Sequence, residues 1–464
     1  MECDILNNDQ HLIAKLSIIL LCLVGLSCSS ELENVNFHKY GKSDGYIEEI
    51  NIREISSPAT AGSRLPRLRA LPNGDALMSW VELEPRANGH ALKFGVLHDG
   101  VWTRQGEAAR GANWFVNWSD FPSVVAIDEN FWMAHWLVKQ QGGKTFDYDV
   151  ATSISNDAGV TWTTPRSPHR DGVAAEHGFA AIFPMAGDAG IVWLDGRYHL
   201  KKEERAKHPE KSGNFNLRYT RIHRDGTMDA EQVIDSNTCT CCWPSVAVAL
   251  SGPVVVWRGR TDAEIRDNRV SLFKNGKWSS PMPLGAEGWN IEGCPVNGPA
   301  IAARGMQVVA AWFSAEGDRP RVRAAFSNDG GKSFGKPIEV DDVAPLGRIG
   351  LVWQDDKTAA ISWMTVADAV TKKSSLALRI IDVDGSLGVV KRVIDISAGR
   401  DTGVPQMIST DKGLVLAWTD VAPTHGVRTA LVDWNSLQST AVLKPIFFAQ
   451  STLPFIPTIC GRPH

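Results

Sequence analysis

The chain has 464 residues and a formal net charge of −4, with 43% hydrophobic and 22% charged residues. These are the proportions of an ordinary globular protein, and the length suits two or three domains or one large repeat architecture. There is no basic run and the charges nearly balance, so nucleic acid is not an expected partner.

At the N-terminus, Lys15 precedes the apolar run LSIILLCLVGL, Leu16 to Leu26. That run is too short to span a bilayer but has the length of a signal h-region. It ends in Leu26-Ser27-Cys28-Ser29-Ser30, which resembles a bacterial lipoprotein signal. Residues 1–27 are then a cleaved signal peptide and Cys28 is the lipidated first residue of the mature chain. The alternative is an ordinary cleaved signal with a chance cysteine. Either reading expects export to the bacterial cell envelope, periplasmic or surface, where disulfides are permitted.

The next feature is a repeat. Each unit has a small or Pro-containing start, an apolar stretch, a turn, and a second apolar stretch ending in Trp. The copies end at Trp80, Trp136, Trp193, Trp257, Trp312, Trp363 and Trp418, spaced 56, 57, 64, 55, 51 and 55 residues apart. A more polar strand pair follows each copy, as in NRVSLFKNGKWSSPMPL after Trp257. Four short strands per repeat are the signature of a β-propeller blade. Inner strands read as nearly continuous apolar runs because neighbouring blades cover both faces, whereas outer strands alternate. The repeated Trp is expected to pack blade against blade. LKKEERAKHPEKSG (Leu200 to Gly213) reads as a solvated insertion. The expected architecture is all-β: one propeller over residues 55–440, seven-bladed by repeat count, with six blades as the alternative. Residues 28–54 form an N-terminal tail and closing strand, since YIEEINIREI (Tyr46 to Ile55) alternates and can complete the last blade. Residues 441–464 form a C-terminal tail.

Two turns carry a sharper motif, SNDAGVTW (Ser155 to Trp162) and SNDGGKSF (Ser327 to Phe334). In such a turn Asp accepts backbone N–H groups, Gly takes the positive φ, and the aromatic residue tucks under the hairpin. Degenerate copies occur at HDGVW (His98 to Trp102) and KNGKW (Lys274 to Trp278). Both full copies resemble the Asp box, Ser-x-Asp-x-Gly-x-Thr-Trp, of bacterial sialidases. Over most of its length the chain resembles the sialidase-like propellers with BNR/Asp-box repeats. That resemblance implies a glycan-directed protein and, if an enzyme, a sialidase-like glycoside hydrolase. It implies that Arg64, in Ser63-Arg64-Leu65-Pro66, is the first arginine of a carboxylate-binding triad. Arg258, Arg260 and Arg348 are candidates for the others without a clear motif. The sialidase nucleophile is a Tyr paired with Glu and placed late in the chain. Here the tyrosines are Tyr40, Tyr46, Tyr148, Tyr198 and Tyr219, so the sequence does not support exo-sialidase chemistry with a tyrosine nucleophile.

In a propeller, the loops that enter the innermost strand and leave the second strand open on one face. The repeat map places NWFVNWSDFP, HRDGVAAEHGF, TCTCCWP and GWNIEGCPVNGP among the entering loops, and HWLVK, WLDGRYH and WRGRTDAEIRD among the leaving ones. The expected acid–base residues are Asp120, Glu176, His177 and Asp195. Expected substrate contacts are Arg64, Trp118, His135, His169, Arg197, Arg258 and Arg260, with Trp114 and Trp136 as further sugar-stacking candidates. A carboxylate beside His and Arg can do acid–base work or bind a carboxylated sugar. The bland alternative is a turn at Asp195-Gly-Arg197 and histidines that satisfy loop backbone. Arg260, Asp262, Glu264, Arg266 and Asp267 read first as an ion-pair network, with a binding site as the alternative.

Cys239, Cys241 and Cys242 enter the fourth blade and Cys294 the fifth, so the four should meet. The leading reading is disulfides pinning two loops. The sharper one is a thiolate site for Cu(I) or Zn²⁺, with His135, His169 or His177 as auxiliary ligands. A redox pair is the third. Cys460 has no obvious partner. The leading function is binding or hydrolysis of a glycan, with no required cofactor and a carboxylate or activated water in the nucleophile's place. The alternatives are a metal-binding or redox propeller built on the cysteine loops, with copper or zinc as candidate ions, and a non-catalytic scaffold for a protein partner.

Overall fold

The computed structural model of the chain describes residues 47–84, 88–199, 213–343, 345–368, 373–421 and 426–438. The signal segment, Cys28, the C-terminal tail with Cys460, and residues 200–212 of the charged insertion lie outside the described residues.

Seven sheets form the described chain. Their innermost strands are Arg64–Ala70, Ser123–Ala126, His177–Met185, Ser245–Ala249, Ala300–Arg304, Pro345–Trp353 and Gln406–Thr410. Each packs beside the next, and the seventh packs beside the first, so the ring closes at seven blades and not six. Within a blade the strands run antiparallel from the axis outward. The second strand of blade three, Asp188–Asp195, is buried along nearly its whole length because neighbours cover both faces. The outermost strand of blade one, Val101–Gly111, shows the interrupted exposure of a sheet edge in water.

Ring closure uses both ends of the propeller. Arg53–Ile55 pairs antiparallel with Gly426–Asp433 and supplies the outer strand of blade seven. The preceding Ile47–Glu49 goes elsewhere: it pairs in parallel with Val390–Ile396 as a fifth strand of blade six. The segment expected to complete the last blade is therefore divided between two blades.

All seven repeat tryptophans sit on second strands and are at most 5% exposed. A buried indole N–H needs an acceptor. Trp80 donates to Glu82, Trp193 to Asp195, Trp257 to Asp235 and Trp312 to Glu287, at 2.7–2.9 Å. In blades four and five an arginine directly across on the third strand shares that carboxylate. Arg269 faces Trp257 and bonds Asp235 at 2.8 Å, and Arg323 faces Trp312 and bonds Glu287 at 3.1 Å. The two Ser-x-Asp turns also share one pattern. Asp157 accepts from the backbone and hydroxyl of Thr161, as Asp329 does from Ser333.

At the face where innermost strands begin, Leu65, Phe121, Phe179, Trp243 and Val404 pack into one cluster. The rings of Phe121 and Trp243 meet at 5.5 Å, although they come from blades two and four. That contact passes across the axis, so apolar side chains fill the mouth of the central channel.

Trp257→Ala is expected to cost about 3–5 kcal/mol in denaturant unfolding. Trp257→Phe should cost less, because Asp235 keeps Arg269. A cost for the alanine variant below about 1 kcal/mol would contradict a packing role.

Candidate active site

The loop into blade two and the loop into blade three bring a phenol and two carboxyls together. Tyr148 begins the third strand of blade two. Its ring stacks on Phe115 at 4.0 Å and 11°, and its N–H donates to Ala175 O. This fixes the hydroxyl between Asp120 Oδ2, at 3.0 Å, and Glu176 Oε1, at 3.1 Å. Asp120 also accepts from the Phe179 N–H at 2.8 Å. Gly178 leaves the space: a Cβ there would lie 2.3 Å from Asp120 Oδ2 and 2.7 Å from the Tyr148 hydroxyl oxygen.

A phenol carries one hydrogen. It cannot donate to two carboxylates at once, so the second contact needs a proton on one carboxyl. The surroundings favour that proton. Burial pushes Asp120 up to about 7, against the hydrogen bonds from Phe179 and Tyr148. Burial pushes Glu176 up to about 8, opposed by the Tyr148 hydrogen bond and aided by the charge of Asp120. Burial and then both carboxylates hold the Tyr148 hydroxyl well above its ordinary pKa. Asp120 and Tyr148 are each 1% exposed, whereas Glu176 is only partly buried. Glu176 is thus the solvent-facing end of a proton-sharing row.

Beside it lies an ion network. His169 stacks on His177 at 3.8 Å and 10°. His177 Nε2 meets Asp171 at 3.1 Å, and Nδ1 lies 3.3 Å from Asp149. Burial works against charge on His177, yet Asp149, Asp195 and Asp171 together raise its pKa. Burial and the neighbouring His177 lower His169 to about 4. Arg197 bridges Asp195, Asp171 and Glu231 at 2.5–2.8 Å, and Arg218 joins Glu231 at 3.1 Å.

Several expected site residues have other work. Asp195 is fully buried and held ionised: burial opposes this, but Arg197, His177 and the Trp193 N–H outweigh it. It is a structural anion and not an acid–base group. Arg197 spends its donors on carboxylates inside the protein, so it is not an open substrate contact. His135 is buried against Ser123 and pushed down to about 3 by burial and by Arg67. Arg258 is buried and donates to the Asn297, Arg266 and Phe313 carbonyls. Arg348 likewise donates to Gly399, Gly403 and Ala398. Arg260 pairs with Glu264, which also takes Arg266. Arg348 covers one face of Trp118 at 4.7 Å. Trp114 and Trp136 are buried and stacked on each other at 5.7 Å, out of reach of a sugar. Arg64 is exposed, with no carboxylate partner among the described residues.

No disulfide joins the four loop cysteines in this structure, which leaves the leading expectation of bridges without support. Cys239, Cys241 and Cys242 each offer a sulfur within 4.8 Å of the others. Asp149/His169/His177 and Asp171/His177/Asp195 have comparable spacing, but there Arg197 and His177 already supply positive charge.

Tyr148, Asp149, Asp171, Arg218 and Glu231 carry no functional mark in the sequence. Tyr148 had a readable signal. It begins a third strand, which opens on the same face as the entering loops.

No protein-family model and no curated protein matches the chain. Among solved structures, a PL25 ulvan lyase bound to -[GlcA(1-4)Rha3S]- is similar with a TM-score of 0.51 and 12% identity, over 82% of this chain and 96% of that one. The Penicillium chrysogenum alpha-L-arabinanase gives 0.42 and 12%, over 85% and 100%. The NanB sialidase of Streptococcus pneumoniae gives 0.42 and 10%, over 86% and 71%. At these identities the likeness is one of fold: the chain is a seven-bladed all-β propeller.

Asp120 and Glu176 titrate higher in the folded chain than in the unfolded one. Their contribution to stability is complete below the ordinary carboxylate range and is lost as pH rises through about 7 and about 8. The thermal midpoint should therefore fall from about pH 5 to about pH 9, and Glu176→Gln should flatten the fall. Parallel profiles for the two proteins would contradict this.

Proposed function

We propose that this propeller binds and processes a glycan, with Glu176 as its general acid–base residue. The observation that carries the reading is the row Asp120–Tyr148–Glu176, two buried members behind one that meets solvent. A carboxyl held near neutral pKa can give a proton to a glycosidic oxygen and take it back. Tyr148 and Asp120 are positioning residues: they orient Glu176 and hold the shared proton. Arg64, exposed and without a carboxylate partner among the described residues, is available to an anionic sugar. The ulvan lyase that shares the fold is bound to a chain containing GlcA, which supports starting with uronate-containing glycans. The Tyr–Glu contact is of the kind the sialidase resemblance called for, but it lies between blades two and three and its phenol is buried. A buried phenol suits a relay better than a nucleophile.

The test is turnover of neutral, uronate-containing and sialylated glycans, followed by both reducing ends and unsaturated products. Glu176→Gln should lower kcat by about 10²–10⁴-fold with binding retained. Activity should fall as pH rises through about 8, where Glu176 loses its proton. Unchanged turnover in Glu176→Gln, or no response to any glycan, would overturn the reading.

A further inference from the structure

We propose that Cys239, Cys241, Cys242 and Cys294 form a zinc site that ties the loop entering blade four to the loop entering blade five. The proposal stands apart from the glycan reading, since none of these residues belongs to the acid–base row.

The local backbone already has its own anchors. Thr238 donates to Phe215 O, and Cys239 N–H donates to Arg258 O at 3.1 Å. The loop geometry therefore needs no covalent bridge, and the sulfurs are left to be explained. Cys239 Sγ lies 3.7 Å from Cys241 Sγ and 3.6 Å from Cys242 Sγ. A disulfide requires about 2.05 Å. Thiolates about 2.3 Å from a tetrahedral zinc lie about 3.8 Å apart. The observed spacing is that of sulfurs sharing a centre. Cys239 is also nearly equidistant from its two neighbours, so neither is its exclusive partner.

The surroundings suit thiolates. Cys239 and Cys242 are 0% and 1% exposed, and buried charge needs hydrogen-bond donors and counter-charge. Arg266 Nη1 lies 3.4 Å from Cys239 Sγ, and the Asn297 N–H donates to Cys242 Sγ at 3.3 Å. Such outer donors orient and stabilise metal-bound sulfur. The positive charge of the buried Arg258 also acts on Cys242. Cys294 comes from the neighbouring loop, interacts with Cys241 and is exposed; its sulfur lies outside the group of three that are all within 4.8 Å of one another, so to serve as the fourth ligand it moves in toward the other three when the ion binds.

The donor set selects the ion. Four sulfurs and no imidazole form the closed set of a structural zinc. Of the histidines considered as auxiliary ligands, His135 bonds Ser123 and His177 bonds Asp171, while His169 stacks on His177; His169 and His177 group with carboxylates and not with the cysteines. On binding, each thiol releases its proton to solvent as Zn²⁺ enters. The resulting site carries a net charge of about −2, opposed by Arg266 and Arg258. Cu(I) would need only three of the thiolates and would leave Cys294 free.

The experiment is metal analysis and zinc-edge X-ray absorption on the whole chain purified without chelator, with alkylation of cysteines before and after chelation. The expected result is one zinc per chain in an all-sulfur shell at about 2.3 Å. The four thiols should react only after zinc is removed. Cys294→Ser should lose zinc to a chelator more than about 100-fold faster than the parent, beyond what loss of an outer-shell donor does. If that variant fails to fold, the absorption spectrum of the unchanged chain decides. Disulfides mapped among the four cysteines without metal would overturn the proposal. So would zinc in a nitrogen and oxygen shell, or stoichiometric copper with Cys294 open to alkylation.

Discussion

The structure depends on one demand: every blade must bury both faces of its sheet against its neighbours. A lone four-stranded sheet of this size cannot do that, and a ring of seven can. The second-strand tryptophans fill the gaps between blades, and in Trp80, Trp193, Trp257 and Trp312 the buried indole N–H finds a carboxylate. Asp235 and Glu287 answer two of them and hold the facing arginines as well. Packing and polar satisfaction are thus joined at the same positions. The ring then becomes rigid enough to hold loops from different blades at fixed separations.

The candidate site exploits that rigidity. Asp120, Tyr148 and Glu176 come from the approach to blade two, the third strand of blade two, and the approach to blade three. They meet only because the blades are locked side by side and because Gly178 has no side chain. Apolar residues close the mouth of the channel, so the chemistry sits off-axis between blades two and three. Exposure rises from Asp120 and Tyr148 to Glu176, which separates the group that meets a ligand from those that tune it. The neighbouring carboxylates are satisfied by Arg197, Arg218 and His177, and so do not compete for the shared proton.

Much of the fold was legible. A tryptophan every fifty-odd residues, between apolar runs, reports blade number directly because the packing demand repeats with the blade. The face bearing the unusual loops was legible for the same reason. Side-chain direction was not. Arg258 and His135 lie in the right segments, yet each points into the protein, and sequence spacing does not say which way a residue at a strand end turns. Tyr148 does not stand out because FDYDV reads as plain strand, and its partners lie 28 residues away on either side. Disulfides were the default chemistry for cysteines in an exported chain. Only the sulfur separations argue for a shared metal instead.

The most direct measurement is a carbon NMR titration of carboxyl-labelled protein, with Glu176→Gln and Asp120→Asn used to assign the signals. The account predicts one midpoint at about 8 and one at about 7. Each should move when the other carboxyl is replaced, because both share the Tyr148 hydrogen. Two independent midpoints in the ordinary carboxylate range, about 4, would contradict a shared proton and remove Glu176 as a general acid.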